Sequence, residues 1–337
     1  MSISWNQKIR GPVIWGLFLA LIMGGCGATK DSKVYHVGIL SGLGAFAPAA
    51  DGFKSKMTEL GYVEGKNIVY DVQSTDVDIT AYQTITKKFV ENDVDLIFAF
   101  PTEAAMEAKA AASGTDIPVV FTLAFTDGEG VNLINSITEP GGNITGVRFP
   151  SVTIASKRLD ILMEMAPLAK RILVPYLQGY PNVPGQLDAI RSDAKASGLT
   201  LIECGVSTPD ELKLKLDSLV NGDDPGVDGI LLIAEPVSIT PAFYSVLGKF
   251  AYEHHLPIGG AIMDVDGYAS IFGYLPDAQH EGGEAALIAD KIFRGVPAGT
   301  IPVMTSDPVL EINYKAAQNL DVIVLAGLLK QADLIIR

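Results

Sequence analysis

Ser41, Thr102, Glu235 and Asp264 are the side chains with which this chain could hold a charged small molecule. Ser41 and Thr102 lie near the starts of helical stretches, where free backbone N–H groups and the helix dipole favour a carboxylate. Glu235 and Asp264 can accept hydrogen bonds from an ammonium. Phe46, Phe125, Tyr176 and Tyr180 offer aromatic surface to an apolar group, with a cation–π share. This is the chemistry of a zwitterion with an apolar side chain. Burying its two charges unpaired would cost several kcal/mol, so their pairing would set selectivity. Plainer roles exist for the same residues. Phe46 and Tyr180 suit helix packing, and Asp264 with Asp266 suits a turn before Gly267.

Other chemistries find weaker footing. Gly42-x-Gly44-x-x-Ala47 approaches the dinucleotide fingerprint, with Asp71 as the acidic residue at the end of the next strand. The physical content of such a loop is close backbone approach at a helix start, which any anion can use. The run from Gly61 to Asn67 mimics a P-loop, but it has three residues between glycines and joins helix to strand. Asp264-Val265-Asp266-Gly267 has the look of a calcium loop without the distant Glu that such a loop needs. His254-His255 closes a helix, where the dipole favours a cation, and has no third ligand nearby. No GxSxG, HExxH or paired catalytic carboxylates occur in a fitting context. The sequence therefore predicts no metal, no cofactor and no catalytic residue.

The candidate residues need elements to place them. From Val34 onward, short Val- and Ile-rich runs alternate with stretches of 3–4 periodicity. Strands are expected at 34–40, 67–72, 95–100 and 117–122. After Pro140-Gly141-Gly142-Asn143 comes a second series, with helices at 151–165, 186–197, 210–219 and 241–254 and strands at 171–176, 200–204, 229–233 and 257–261. Continuous apolar strands with intervening helices predict an α/β fold of two Rossmann-like lobes with parallel sheets. Strand 270–274, helix 278–293 and the run 301–304 read as the chain crossing back between lobes, followed by a packed helical tail. In open α/β sheets ligands bind beyond the C-terminal strand ends. That rule selects 41–46, with Gly42 and Leu43, then 101–103, with Glu103, and 123–127, with Ala124. On the other lobe it selects 177–182, 234–237 and 263–266.

Bulk properties exclude some partners. The 337 residues carry a net charge of −14 and are 48% hydrophobic. That acidity argues against nucleic acid and against electrostatic docking on anionic lipid. Of the two cysteines, Cys204 ends an apolar run and reads as a buried thiol. Lys8 and Arg10, the apolar run 13–23 and the small residues Gly24 and Gly25 before Cys26 have the parts of a signal peptide. The apolar run is short for a membrane span. Cys26 after two glycines looks like a lipobox cysteine, with Met23 at the position where Leu is usual. Residues 1–25 are thus expected to be a signal peptide, Cys26 a lipidation site and 26–33 a linker.

Several stretches taken in order resemble one family. They are Gly61-Tyr62-Val63-Glu64-Gly65-Lys66-Asn67, Asp95-Leu96-Ile97, Asp116-Ile117-Pro118-Val119-Val120-Phe121, Pro140-Gly141-Gly142-Asn143-Ile144-Thr145-Gly146-Val147, Asn313-Tyr314-Lys315-Ala316-Ala317 and Leu328-Leu329-Lys330-Gln331-Ala332-Asp333. The set covers most of 34–337 and resembles the ABC-transporter substrate-binding family that includes tryptophan- and tyrosine-binding lipoproteins. The resemblance implies a type I periplasmic-binding fold, three crossovers forming a hinge, no catalysis, an apolar or aromatic amino acid as ligand, an ABC permease as partner and a monomer tethered by its lipid outside the cytoplasm. It assigns 34–148 plus 268–298 to the first lobe and 149–267 plus 299–337 to the second. The hinge is expected near 147–151, 266–270 and 298–301. Ala234-Glu235-Pro236 replaces the family's more usual Thr-Asp-Asn-like run, so ligand identity does not carry over. A sugar or nucleoside ligand, a sensor role and, more remotely, an exported enzyme are the alternatives.

Overall fold

The computed structural model describes residues 33–337. The expected signal peptide, the Cys26 lipidation site and nearly all of the expected linker lie outside the described residues. The chain opens with β1 (Tyr35–Ser41), α1 (Pro48–Glu59), β2 (Ile68–Ser74), α2 (Ile79–Glu91), β3 (Leu96–Phe100), α3 (Thr102–Ala111), β4 (Val119–Ala124) and β5 (Ile144–Arg148). Next come α4 (Ser151–Met165), β6 (Arg171–Leu177), α5 (Val183–Ser197), β7 (Thr200–Val206), α6 (Pro209–Leu219), β8 (Gly229–Leu231), α7 (Pro241–Glu253) and β9 (Ile258–Gly259). The last part holds β10 (Asp264–Val265), β11 (Tyr268–Ala269), β12 (Phe272–Pro276), α8 (Ala278–Phe293), β13 (Met304–Thr305), β14 (Pro308–Asn313), α9 (Tyr314–Asn319), α10 (Ala326–Gln331) and β15 (Leu334–Ile336). Helix starts follow capping chemistry. Asp78, Thr208, Asp277 and Asn313 each accept from the backbone N–H three residues on, satisfying a donor the helix leaves free.

The first lobe is a parallel sheet in the order β13-β5-β4-β3-β1-β2. It is apolar on both faces, as helix-covered parallel strands must be. Leu96, Phe98 and Phe100 join the α1 and α8 side, while Ile97 and Ala99 join the α2 and α3 side. Helices α1 and α8 touch through paired glycines. A Cβ on Gly282 would stand 1.9 Å from the Ala49 carbonyl oxygen, and one on Gly52 would stand 1.8 Å from that of Gln279. Gly282→Ala is therefore expected to cost about 3 kcal/mol by overpacking, read as a lower denaturant midpoint. An unchanged midpoint would show that the two helices part freely.

The second lobe carries the parallel sheet β7-β6-β8-β9 and a second sheet, β12-β14-β15. The two join at a seam, where Ile271 N–H donates to Ile258 O at 2.8 Å and Gly260 N–H to Phe272 O at 3.0 Å. One apolar core runs beneath both, from Leu159 and Ile190 to Phe272, Ile312 and Leu320.

These pairings correct the expected lobe boundaries. β12 lies antiparallel to β14, from Phe272 opposite Ile312 to Pro276 opposite Pro308, so 268–276 belongs to the second lobe. β13 lies parallel to β5, with Thr305 opposite Arg148, so 299–305 belongs to the first. The chain crosses between β5 and α4, between β12 and α8, and between β13 and β14. The second and third crossings therefore fall beyond the expected 266–270 and 298–301. The tail is less helical than expected, since it ends in β15, parallel to β14.

Candidate functional site

The candidate residues sit mostly at C-terminal strand ends of the two lobes. On the first lobe, β1 ends at Ser41, whose hydroxyl is buried without a hydrogen-bond partner. Gly42 follows and is there for packing: a Cβ would stand within 3 Å of the Tyr82 ring, whose hydroxyl donates to the Gly42 carbonyl. Leu43 is half-buried and opens a short 3-10 turn, and Phe46 packs on the lobe's core. The dinucleotide-like glycine thus serves tertiary packing. Thr102 starts α3 and is buried; its Oγ1 accepts from Phe125 N–H at 3.2 Å. Between Phe121 and Ala124 the β4–β5 register shifts, and Leu123 takes φ +51°. Such an irregularity re-aims the chain at a strand end. Ala124 is buried there, and Phe125 turns toward the other lobe.

On the second lobe, Glu235 follows β8 and is 5% exposed. Its Oε2 accepts from Leu177 N–H at 2.8 Å, while Oε1 has no hydrogen-bond partner. Burial pushes this carboxyl up to about 7, against the amides of Leu177, Val237 and Ser238 and the charge of Arg158. Arg158 is wholly buried on α4, donating to Leu232 O at 2.9 Å and Tyr274 O at 3.0 Å. Burial lowers its pKa to about 9, and Glu235 opposes that shift.

Strand-end logic passed over Ser151 and Ser306, and it reached Asn182 only as the last residue of 177–182, without singling out its side chain. Asn182 donates through Nδ2 to Ala234 O at 2.9 Å, which fixes its amide and leaves Oδ1 buried and unpartnered beside the Glu235 segment. Ser151 and Ser306 flank the first and third crossings, and each hydroxyl is buried without a partner. Native buried polar groups are nearly always paired, so unsatisfied oxygens such as those of Ser41, Asn182 and Glu235 ask for a ligand or water. Their signal in the sequence is faint: a small polar residue next to a proline or a crossing.

The lobes touch through expected residues. Tyr180 OH donates to Glu103 Oε1 at 2.8 Å. The Tyr180 and Phe125 rings meet edge-on at 5.8 Å. Glu129 N–H donates to Pro181 O at 3.1 Å. Burial, then Glu103, then Glu235 push the Tyr180 hydroxyl far up, so Glu235 lies within electrostatic reach of this contact.

Two expected residues turn to other neighbours. Tyr176 lies within β6, and its ring covers Gly205 of β7. Asp264 is exposed on the β10–β11 hairpin, beside α7 and Tyr244. Asp266 and Gly267, at φ +55° and +83°, make the tight two-residue turn of that hairpin, and Asp266 accepts from Ser245 at 2.6 Å. The calcium-like run is a hairpin turn. Arg148, near the first crossing, donates to Thr305 at 3.0 Å. Among the described residues, no three of His, Cys, Asp and Glu gather as metal ligands. No helix among them is long and apolar enough to cross a membrane.

The chain is similar to proteins of known kind. The family model described as ABC transporter substrate binding protein matches residues 38–336. A tyrosine-binding protein of Clostridioides difficile is 29% identical over 335 residues, spanning 94% of this chain and 93% of that protein. The ligand-free, open structure of a substrate binding protein with adhesive properties from Clostridium difficile is 26% identical, with TM-score 0.70 over 90% of this chain and 99% of that one. An ABC domain in complex with L-Trp from Streptococcus pneumoniae has TM-score 0.75 at 22% identity, over 90% of this chain and 100% of that one, a likeness of fold.

Proposed function

Because the chain belongs to the ABC transporter substrate-binding protein family, a family of solute-binding proteins and not of enzymes, we propose that it captures an apolar or aromatic amino acid between its lobes and presents it to an ABC importer. Proteins of this family work outside the cytoplasm. The observation that carries the ligand class is the pair of buried acceptors, Glu235 Oε1 and Asn182 Oδ1, left without partners on one lobe. An ammonium brings the donors they lack. Opposite them, Ser41 and the α3 start at Thr102 offer a hydroxyl and free backbone N–H groups to a carboxylate. Phe125 and Tyr180 supply apolar wall. The tyrosine-binding relative supports the same class.

A lipid on Cys26 holds the protein, a reading supported by the sequence pattern around Gly24, Gly25 and Cys26, and it works as a monomer, a reading that rests on the family alone. A diacyl group with an acylated amine suffices for stable anchoring. A Cys26→Ala variant is expected to be released from the membrane fraction, and its retention there would overturn the tether.

Thermal unfolding against L-Tyr, L-Trp, L-Phe, sugars and nucleosides tests the ligand class. A ligand at ~100 times its dissociation constant adds about 2.7 kcal/mol. A rise in Tm with one aromatic amino acid is expected. A rise with a sugar or nucleoside alone would keep the fold and overturn the ligand.

A further inference from the structure

The lobes meet at a rim made only of protein groups. Tyr180 and Pro181 lie on the loop between β6 and α5; Glu103 is in the first turn of α3, and Phe125, Gly128 and Glu129 follow β4. The Tyr180 hydroxyl is committed to Glu103, its ring to Phe125, and the Pro181 carbonyl to Glu129 N–H. A Cβ on Gly128 would stand 3.2 Å from the Pro181 carbonyl oxygen, so the loops meet backbone to backbone with little slack. The next residue on the rim loop, Asn182, bonds to Ala234 and thereby ties the rim to the Glu235 segment.

We propose that the Tyr180–Glu103 hydrogen bond is a latch between the lobes: Tyr180 is a positioning residue that sets how much of the ligand-free protein is closed. This rests on the solute-binding reading for its consequence, since a ligand that needs the closed form binds with an affinity scaled by the closed fraction. The latch acts on every ligand alike. A hydroxyl that touched the ligand would act on some ligands and spare others.

Tyr180→Phe removes the hydroxyl and keeps the ring. Nitroxide labels on Lys87→Cys of α2 and Lys213→Cys of α6, both exposed, report lobe separation by pulsed EPR without any ligand. In the ligand-free protein Tyr180→Phe is expected to shift the distance distribution toward the open form. L-Tyr and L-Trp are expected to lose affinity by the same factor, roughly tenfold for a charge-assisted bond. Glu103→Ala should give the same shift, and the double variant no more than either single one. An unchanged distance distribution overturns the latch, and so does a changed ratio between the L-Tyr and L-Trp affinities. If neither amino acid binds the unsubstituted protein, the ligand reading fails while the EPR distances still decide the latch.

Discussion

Glu235→Gln is expected to weaken amino-acid binding on the order of 100-fold at pH 8, the equivalent of about 3 kcal/mol for breaking a buried charge pair. Glutamine keeps the shape of the side chain and the bond from Leu177, so the loss isolates the charge. The pH dependence is the sharper test. With its pKa near 7 in the empty protein, Glu235 must release a proton to meet an ammonium as pH falls below that value. Affinity should therefore drop as pH falls through 7, by roughly tenfold per unit. Titration calorimetry at pH 5, 6, 7 and 8 would show the slope in the unsubstituted protein and none in Glu235→Gln. Equal slopes in both would place the ammonium elsewhere.

A second carboxyl should govern stability. Glu281 lies in the first turn of α8, 1% exposed, accepting from the Thr122 hydroxyl at 3.2 Å. Burial, with added repulsion from Glu284, Asp307 and Asp277, pushes it up to about 8 against the Thr122 bond. The folded protein thus binds a proton that the unfolded chain, titrating near 4.3, gives up. Its contribution is fully present below about 4.3, declines as pH rises, and is gone above 8. The span corresponds to a few kcal/mol, on the order of 5. Glu281→Gln, which keeps a neutral group there, should be more stable than the unsubstituted protein at pH 9 and close to it at pH 4. The difference between their denaturant midpoints, followed across pH, removes every other titration. A difference constant with pH would mean that Glu281 is ionised throughout.

Periodicity and the strand-end rule were enough to find most of this fold, and the reasons are local. Helices at 151–165 and 278–293 carry their signal in their own residues, and α4 (Ser151–Met165) and α8 (Ala278–Phe293) match them end to end. The lobe boundaries were not legible because they depend on pairing. Nothing within Phe272–Pro276 says that its partner strand begins at Pro308. β5 escaped notice since Thr145 and Gly146 break its apolar run, although its pairing buries them. Among the loop positions, Glu103, Phe125 and Tyr180 lie at the contact between the lobes, and a ligand role for these and for Ser41, Thr102 and Glu235 is a proposal. Tyr176 lay beyond such reasoning. Its strand runs one residue further, and its ring rests on a neighbouring strand's glycine. Asn182 needed the structure as well, because only the bond to Ala234 shows which end of its amide is free.

The interleaving of the lobes bears on the order in which the chain can fold. The first lobe awaits α8 and β13, and the second awaits β14 and β15. Neither can finish as an early, self-contained unit while the rest is still being synthesised. The α1–α8 glycine contact joins residues more than two hundred positions apart, and pairings of such sequence separation form late and slowly. Nascent chains should accordingly stay sensitive to protease until β15 has been made, then become resistant in one step. A protein that does its work on the far side of a membrane is well served by that delay, since it leaves the ribosome still able to be threaded.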